Sequence, residues 1–332
     1  IGFNRVVYMI VSFTLMLFIL VACGGQKAEK VRLAEVTRSV FYTPLYIAIS
    51  EDFFKKEGLD VELKTTWGGD KTMTALLSNG ADIALVGSET SIYVNAQGAS
   101  DPIINFAQLT QTDGTFLVAR EKTDHFSWEQ LKGKTFLGQR KGGMPQMAGE
   151  FVLKQKGIDP KKDIDLIQTI DFANIPNSFA SGTGDYVQLF EPQASIFEKE
   201  GIGRIVASFG KESGRIPYTT FMAKASYLKK NEATAEKFTR AIYKAQQWIE
   251  SHSSKEAALS IQDQFKDTEP SILESSIERY KQQKSFAHDP ILDEEEWNQL
   301  QTIMDEAGEL PKRTSHHELV NTKIAEKVTK NH

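Results

Sequence analysis

The 332-residue chain carries 39 basic against 44 acidic residues, a formal net charge of −5, and 40% of its residues are hydrophobic. A mild acidic excess without basic blocks argues against a nucleic-acid partner, and this length and apolar content suit two cored lobes or domains. The sole cysteine, Cys23, rules out an intrachain disulfide.

Arg5 is followed by an uncharged, mainly apolar run from Val6 to Ala22. That run falls short of the roughly 20 residues a membrane-spanning helix needs. With its charged start and small exit residues it has the form of a secretory signal peptide over 1–22. "LVAC" (20–23) is similar to the bacterial lipobox, whose cysteine thiol takes a diacylglyceryl group and becomes the mature N-terminus. Two acyl chains, at roughly 0.8 kcal/mol per buried CH₂, make a stable anchor. Cys23 is therefore expected to be lipidated, 23–30 to be a tether, and the folded part to sit on the extracytoplasmic face of the cell membrane. An ordinary cleaved signal or a single membrane anchor is the alternative.

Along the chain, "VRLAEV" (31–36) alternates as a strand, and "PLYIAISEDFFKKEG" (44–58) has helical spacing with a glycine stop. "LDVELK" (59–64) alternates again, and "DKTMTALLSNG" (70–80) predicts a helix. "ADIALVG" (81–87), "TSIYVNAQG" (90–98) and "PIINFAQLT" (102–110) continue the series. Strands alternating with helices imply parallel βαβ units covered on both faces. A second series starts near "LKGKTFLGQR" (131–140) and passes through the helix "PQMAGEFVLKQKG" (145–157). It closes with the strands "KDIDLIQT" (162–169), "DYVQLF" (185–190) and "GRIVASF" (203–209). "GTFLVAR" (114–120) and "YTTFMAK" (218–224) are alike, each an extended apolar run ending in a basic residue. They are expected to form a two-stranded hinge flanking an inserted lobe. Helices are predicted over 231–252, 254–265, 270–284, 293–309 and 315–330. The predicted fold class is α/β and bilobal. Lobe I is built from 31–113 plus 218–332 and lobe II from 121–214, with hinge strands at 114–120 and 215–224 and a helical C-terminal region.

In open parallel sheets, ligands lie beyond the carboxyl ends of the strands. Six loops qualify: 37–43, 65–70, 87–90, 138–146, 171–177 and 190–192. They offer Phe41, Tyr42 and Trp67 as flat apolar faces, Thr43, Ser88 and Gln146 as hydrogen-bonding groups, and Glu89 and Glu191 as charges. In "RKGGMPQ" (140–146), Gly142 and Gly143 precede Pro145 at the start of a helix. This is either an anion cradle of exposed N–H groups or a plain turn. Glu191 directly follows the strand "YVQLF" and is expected to end at the cleft, accepting from an amino group or ring nitrogen. Glu89 reads as a helix cap or a ligand contact.

"YTPLYIAISEDFFKKEGLDVEL" (42–63) resembles the opening of the bacterial solute-binding proteins for nitrate, aliphatic sulfonates, taurine and thiamine pyrimidine precursors. The likeness continues in "GGDKTMTALLSNGADIALVG" (68–87), "LKGKTFLG" (131–138), "LKQKGIDPKKDI" (153–164) and "SFASGTGDYVQLFEP" (178–192). The resemblance implies a bilobal type II periplasmic-binding-protein fold. It also implies a lipid-anchored monomer that hands a small solute to an ABC permease and, through it, to the ATPase. Carried onto this chain, the ligand-facing residues would be Tyr42, Thr43, Trp67, Ser88, Glu89, Gly143, Gln146 and Glu191. Sulfonate-binding members tend to have Ser or Thr in the glycine turn, where this chain has Gly-Gly-Met. An acid at Glu191 looks closer to the pyrimidine-binding members, so the expected cargo is a small organic solute, aminopyrimidine-like first and aliphatic sulfonate- or taurine-like as the other reading.

The rival classes are a pyrimidine-precursor synthase of the same fold and an extracytoplasmic sensor domain. The synthase branch depends on a cysteine-rich motif, which one cysteine cannot supply. "GKT" (133–135) lacks the upstream glycine of a phosphate-binding loop, because Trp128 stands there. Neighbouring histidines in "SHH" (315–317) would point about 100° apart on a helix, a poor metal site. No enzyme activity, cofactor or metal is expected.

Overall fold

Two five-stranded sheets, each crossed by one strand that runs against its neighbours, organise the computed structural model, which describes residues 27–331. The expected signal peptide (1–22) and Cys23 lie outside the described residues. The chain begins with β1 (Glu29–Glu35), α1 (Thr43–Ser50), α2 (Phe53–Lys56), β2 (Leu59–Thr65), α3 (Gly69–Leu77), β3 (Ile83–Gly87), α4 (Glu89–Ala96) and β4 (Ile103–Thr110). It crosses to the second lobe, which holds β5 (Thr115–Ala119), β6 (Thr135–Leu137), α5 (Met144–Gln155), β7 (Asp165–Ile167), α6 (Ile175–Ala180), β8 (Tyr186–Phe190), α7 (Gln193–Lys199), β9 (Arg204–Ser208) and α8 (Phe209–Ser213). β10 (Thr219–Lys224) returns to the first lobe. There α9 (Ala225–Lys230), α10 (Glu232–Ser251), α11 (Ser254–Ile261), α12 (Pro270–Gln282), α13 (Glu294–Glu306), α14 (His316–Leu319) and α15 (Lys323–Lys330) follow.

The first sheet runs β2-β1-β3-β10-β4, with β1 parallel to β2 and β3. The second runs β7-β6-β8-β5-β9, with β6 parallel to β7 and β8. In each sheet the exception comes from across the chain: β10 is antiparallel to β3 and β4, and β5 to β8 and β9. The two runs expected as hinge strands are thus ladder members of opposite sheets. Their apolar residues (Phe116, Leu117, Val118; Phe221, Met222, Ala223) are all buried, as a strand covered on both faces requires. The chain passes between lobes instead through the short stretches 111–114 and 214–218. β1 starts at Glu29, already paired with Leu59, so the last two residues of the expected 23–30 tether belong to the sheet.

Other departures have local causes. The helix expected over 44–58 breaks in two because Asp52 takes a left-handed conformation (φ 58°). Residues 90–98 keep the alternation of the series: α4 occupies Glu89–Ala96. The helix expected over 315–330 is two, because Val320 bridges to Asn105 between them. The first lobe's core is aromatic. Trp297 and Tyr280 are fully buried, and Phe238 packs with Phe54, Phe106 and Phe221. Among the described residues no helix is long and apolar enough to cross a membrane.

Candidate functional site

The carboxyl ends of β1, β3, β6 and β8 converge between the lobes on a cavity of about 230 Å³. Tyr42, Glu89, Tyr93 and Tyr218 come from the first lobe and its crossing segment; Gly142, Gly143, Met144, Phe172 and Phe190 come from the second. Tyr42 ends a 3₁₀ turn over Val40–Tyr42 that Ser39 caps, its hydroxyl accepting from the Phe41 N–H at 3.1 Å. Burial pushes the Tyr42 and Tyr93 phenols upward, so both stay neutral.

Glu89 opens α4 with its carboxyl turned back over Gly87. A Cβ on Gly87 would lie 2.1 Å from Glu89 Oε2, so a larger residue there would displace the Glu89 carboxyl. Glu89 Oε1 accepts from the Met144 N–H across the cleft at 3.2 Å, while Oε2 is buried without a hydrogen-bond partner. Burial raises the Glu89 pKa to about 8, opposed only by bonds from backbone N–H groups. At neutral pH this carboxyl is mostly protonated.

The glycine turn that leads into α5 is closed on itself. Gly142 (φ 91°) takes a conformation that favours glycine. Its N–H donates to Gln146 Oε1 at 2.8 Å, and the Gly143 N–H donates to the Arg140 carbonyl at 3.4 Å. With Met144 N–H on Glu89, no N–H of Gly142, Gly143 or Met144 is spare for an anion. The turn is also tied to the first lobe, since the Tyr93 hydroxyl donates to the Gly142 carbonyl at 2.8 Å. At the rim, Arg140 pairs with Asp70 at 2.8 Å, both half-exposed, and Lys141 approaches Glu309 at 3.7 Å.

Of the eight residues expected to face a ligand, Tyr42, Glu89 and Gly143 line the cavity, and the other five do not. Thr43 is fully buried, its hydroxyl donating to the Val40 carbonyl at 2.6 Å to fasten the start of α1. Ser88 is buried with its hydroxyl on the Pro217 carbonyl, holding a crossing segment. Gln146 spends its amide on Gly142 and Glu150. Trp67 turns outward, 47% exposed, at a left-handed φ of 61°. Glu191 is buried away from the cavity, and its carboxylate accepts from the Ser195 N–H (2.9 Å) and hydroxyl (2.7 Å) at the start of α7. Burial raises its pKa, while Ser195 and the Arg279 guanidinium, 3.6 Å away, oppose the rise. The backbone of Glu191 instead joins the lobes: its carbonyl accepts from Val40 N–H (3.1 Å) and the Ser39 hydroxyl (2.6 Å), and its N–H donates to the Tyr280 hydroxyl (3.0 Å).

Tyr93, Tyr218, Phe172 and Phe190 complete the walls without having been singled out in the sequence. Phe172 and Phe190 lie in loops identified as cleft loops, so their position was available. Tyr93 lies one turn into α4, beyond the loop 87–90, so loop position did not point to it. Phe41, expected as a cleft face, is buried behind the cavity, packed on Tyr42, Phe190, Tyr218 and Tyr280. His316 bonds the Leu292 carbonyl at 2.7 Å, far from the cleft in the chain's last helices.

Paired α/β lobes with reciprocal crossing strands and a cavity at the facing strand ends define the bilobal fold of the periplasmic binding proteins. Residues 24–262 match the NMT1-like family, to which the chain belongs. It is 69% identical over 326 residues to YtlA of Bacillus subtilis (strain 168), named as a candidate binding protein, covering 98% of each chain. The bicarbonate-binding protein CmpA of Synechococcus elongatus is 25% identical over 239 residues, 64% of this chain and 52% of CmpA, so about half of that relative is spanned. The alkanesulfonate-binding protein SsuA from Xanthomonas axonopodis pv. citri, solved bound to MOPS, superposes with a TM-score of 0.71 at 17% identity. That superposition covers 90% of this chain and 100% of SsuA, a likeness of fold.

Proposed function

We propose that this chain is the extracytoplasmic solute-binding component of an ABC importer. It captures a small nitrogen-bearing organic solute, of the aminopyrimidine type, between its lobes and delivers it to the permease and its ATPase. Membership of the NMT1-like family and the binding-protein names of the relatives support the class. One observation carries the choice of solute over a sulfonate or taurine: Glu89, which lines the cavity, holds a buried carboxyl oxygen without a partner, while the N–H groups of Gly142, Gly143 and Met144 are already bonded. An oxyanion needs donors or cations, and Arg140 and Lys141 are committed at the rim. Tyr42, Glu89 and Gly143 are the proposed contacts, joined by Tyr93, Tyr218, Phe172 and Phe190. We place Cys23 as the lipid anchor that keeps the receptor beside its permease.

A solute touching both lobes shifts an open–closed equilibrium by its differential affinity for the closed form. The Tyr93–Gly142 and Met144–Glu89 bonds exist only while the lobes meet, so closure and solute contact reinforce each other. Thermal-shift titration against aminopyrimidines, alkanesulfonates, taurine and nitrate tests this reading. A bound solute at one hundred times its Kd stabilises by about 2.7 kcal/mol, so aminopyrimidines should raise Tm and the oxyanions should not. Stabilisation by sulfonates alone would overturn the solute class. Turnover of any of these compounds would favour the enzyme instead.

A further inference from the structure

We propose that the cavity takes a compact organic cation, a nitrogen base of the amidinium type that stays protonated across neutral pH, and that Glu89 releases its proton to solvent as the cation binds. This rests on the solute-binding reading and deepens it.

Three features of the cavity converge. Glu89 lines the cavity, and its Oε2 is buried with no hydrogen-bond partner, so a modest turn of the carboxyl offers an acceptor for a second N–H. The walls are ring faces, Tyr42, Tyr93, Tyr218, Phe172 and Phe190, whose quadrupoles attract a cation. The cations on the wall sit at the mouth and are already paired, Arg140 with Asp70 and Lys141 with Glu309. An incoming positive charge therefore meets no repulsion inside, and its natural counter-charge is Glu89.

The ionisable groups that face Glu89 do not compete for this role. The Tyr42, Tyr93 and Tyr218 phenols are pushed upward by burial and remain neutral. Asp113, beside Tyr218 in the crossing segment, is pushed up only to about 6. The carboxyl of Glu89, held near 8 by burial, is the group whose charge a cation can change around neutral pH. Protonated Glu89 and a cation become a carboxylate–cation pair, and one proton leaves to the buffer for each cation bound. A neutral amide that donates to Oε2 releases none.

The test is calorimetric titration with benzamidinium, benzamide and benzoate from pH 6 to 9, in buffers of different ionisation heat. Benzamidinium is expected to bind, to release up to one proton per chain, and to gain about tenfold in affinity per pH unit until the curve levels near pH 8. Benzoate is expected not to bind. Glu89→Gln should abolish the proton release and flatten the pH slope; the wild-type slope stands without that variant, should it fold poorly. A preference for benzoate, or benzamidinium binding with no proton released, would overturn the inference. If benzamidinium fails while neutral aminopyrimidines still raise Tm, the cation inference falls and the solute-binding reading stands.

Discussion

Glu89→Gln should change the pH dependence of stability even without any solute. In the folded chain the carboxyl titrates near 8, whereas an unburied glutamate titrates near 4.5. Stability from this group is fully present below the unfolded value and is lost as pH climbs through the folded one, because the unfolded chain gives up its proton first. Each pH unit across that window removes about 1.4 kcal/mol, so by pH 7 the wild type has lost roughly 3 kcal/mol that a glutamine cannot lose. The amide keeps the bond from Met144 N–H. Any fixed cost of its extra N–H shifts the variant equally at every pH, so the slope is the readout. Urea unfolding at pH 5, 6.5 and 8 should show the wild type falling relative to Glu89→Gln, with the curves parallel above about 8. Parallel curves throughout would mean that Glu89 is ionised in the folded chain, and the account of the cavity would fail.

Glu191→Ala strips Ser195 of both its bonds and should cost about 1–3 kcal/mol in urea unfolding. Solute affinity by calorimetry should be unchanged, and lost affinity at full stability would return Glu191 to the cavity. Gly114→Ala puts a Cβ 2.7 Å from three ring atoms of Phe41, an overpacking cost of about 1–3 kcal/mol; an unaltered Tm would contradict that contact. Tyr93→Phe deletes the 2.8 Å bond to the Gly142 carbonyl. At about 0.5–1.5 kcal/mol for a hydrogen bond, solute affinity should fall roughly two- to tenfold, and an unchanged Kd would remove this bond from lobe closure.

Strands and helices were legible where one periodicity dominated. β1, β2, α3, β3 and α5 stand within a few residues of where alternation or helical spacing put them, because each buries one face or both. Strand partners were not legible. "GTFLVAR" and "YTTFMAK" look like a matched pair, yet each pairs within a different sheet, a choice made by non-local ladders. Loop position pointed to Tyr42, Glu89 and Gly143, which line the cavity. Polarity misled at Thr43, Ser88, Gln146 and Glu191, because buried backbone groups and helix starts must be satisfied locally, and these side chains do that work. The residues that wall the cavity are mostly aromatic, and an aromatic ring looks the same in sequence whether it fills a core or lines a pocket.

The most direct test is to purify the chain under conditions that retain its native ligand, then denature it and identify by mass what it releases. The account predicts one small nitrogenous organic molecule per chain, absent from the Tyr42→Ala variant. One organic oxyanion per chain, or equal release from that variant, would contradict it.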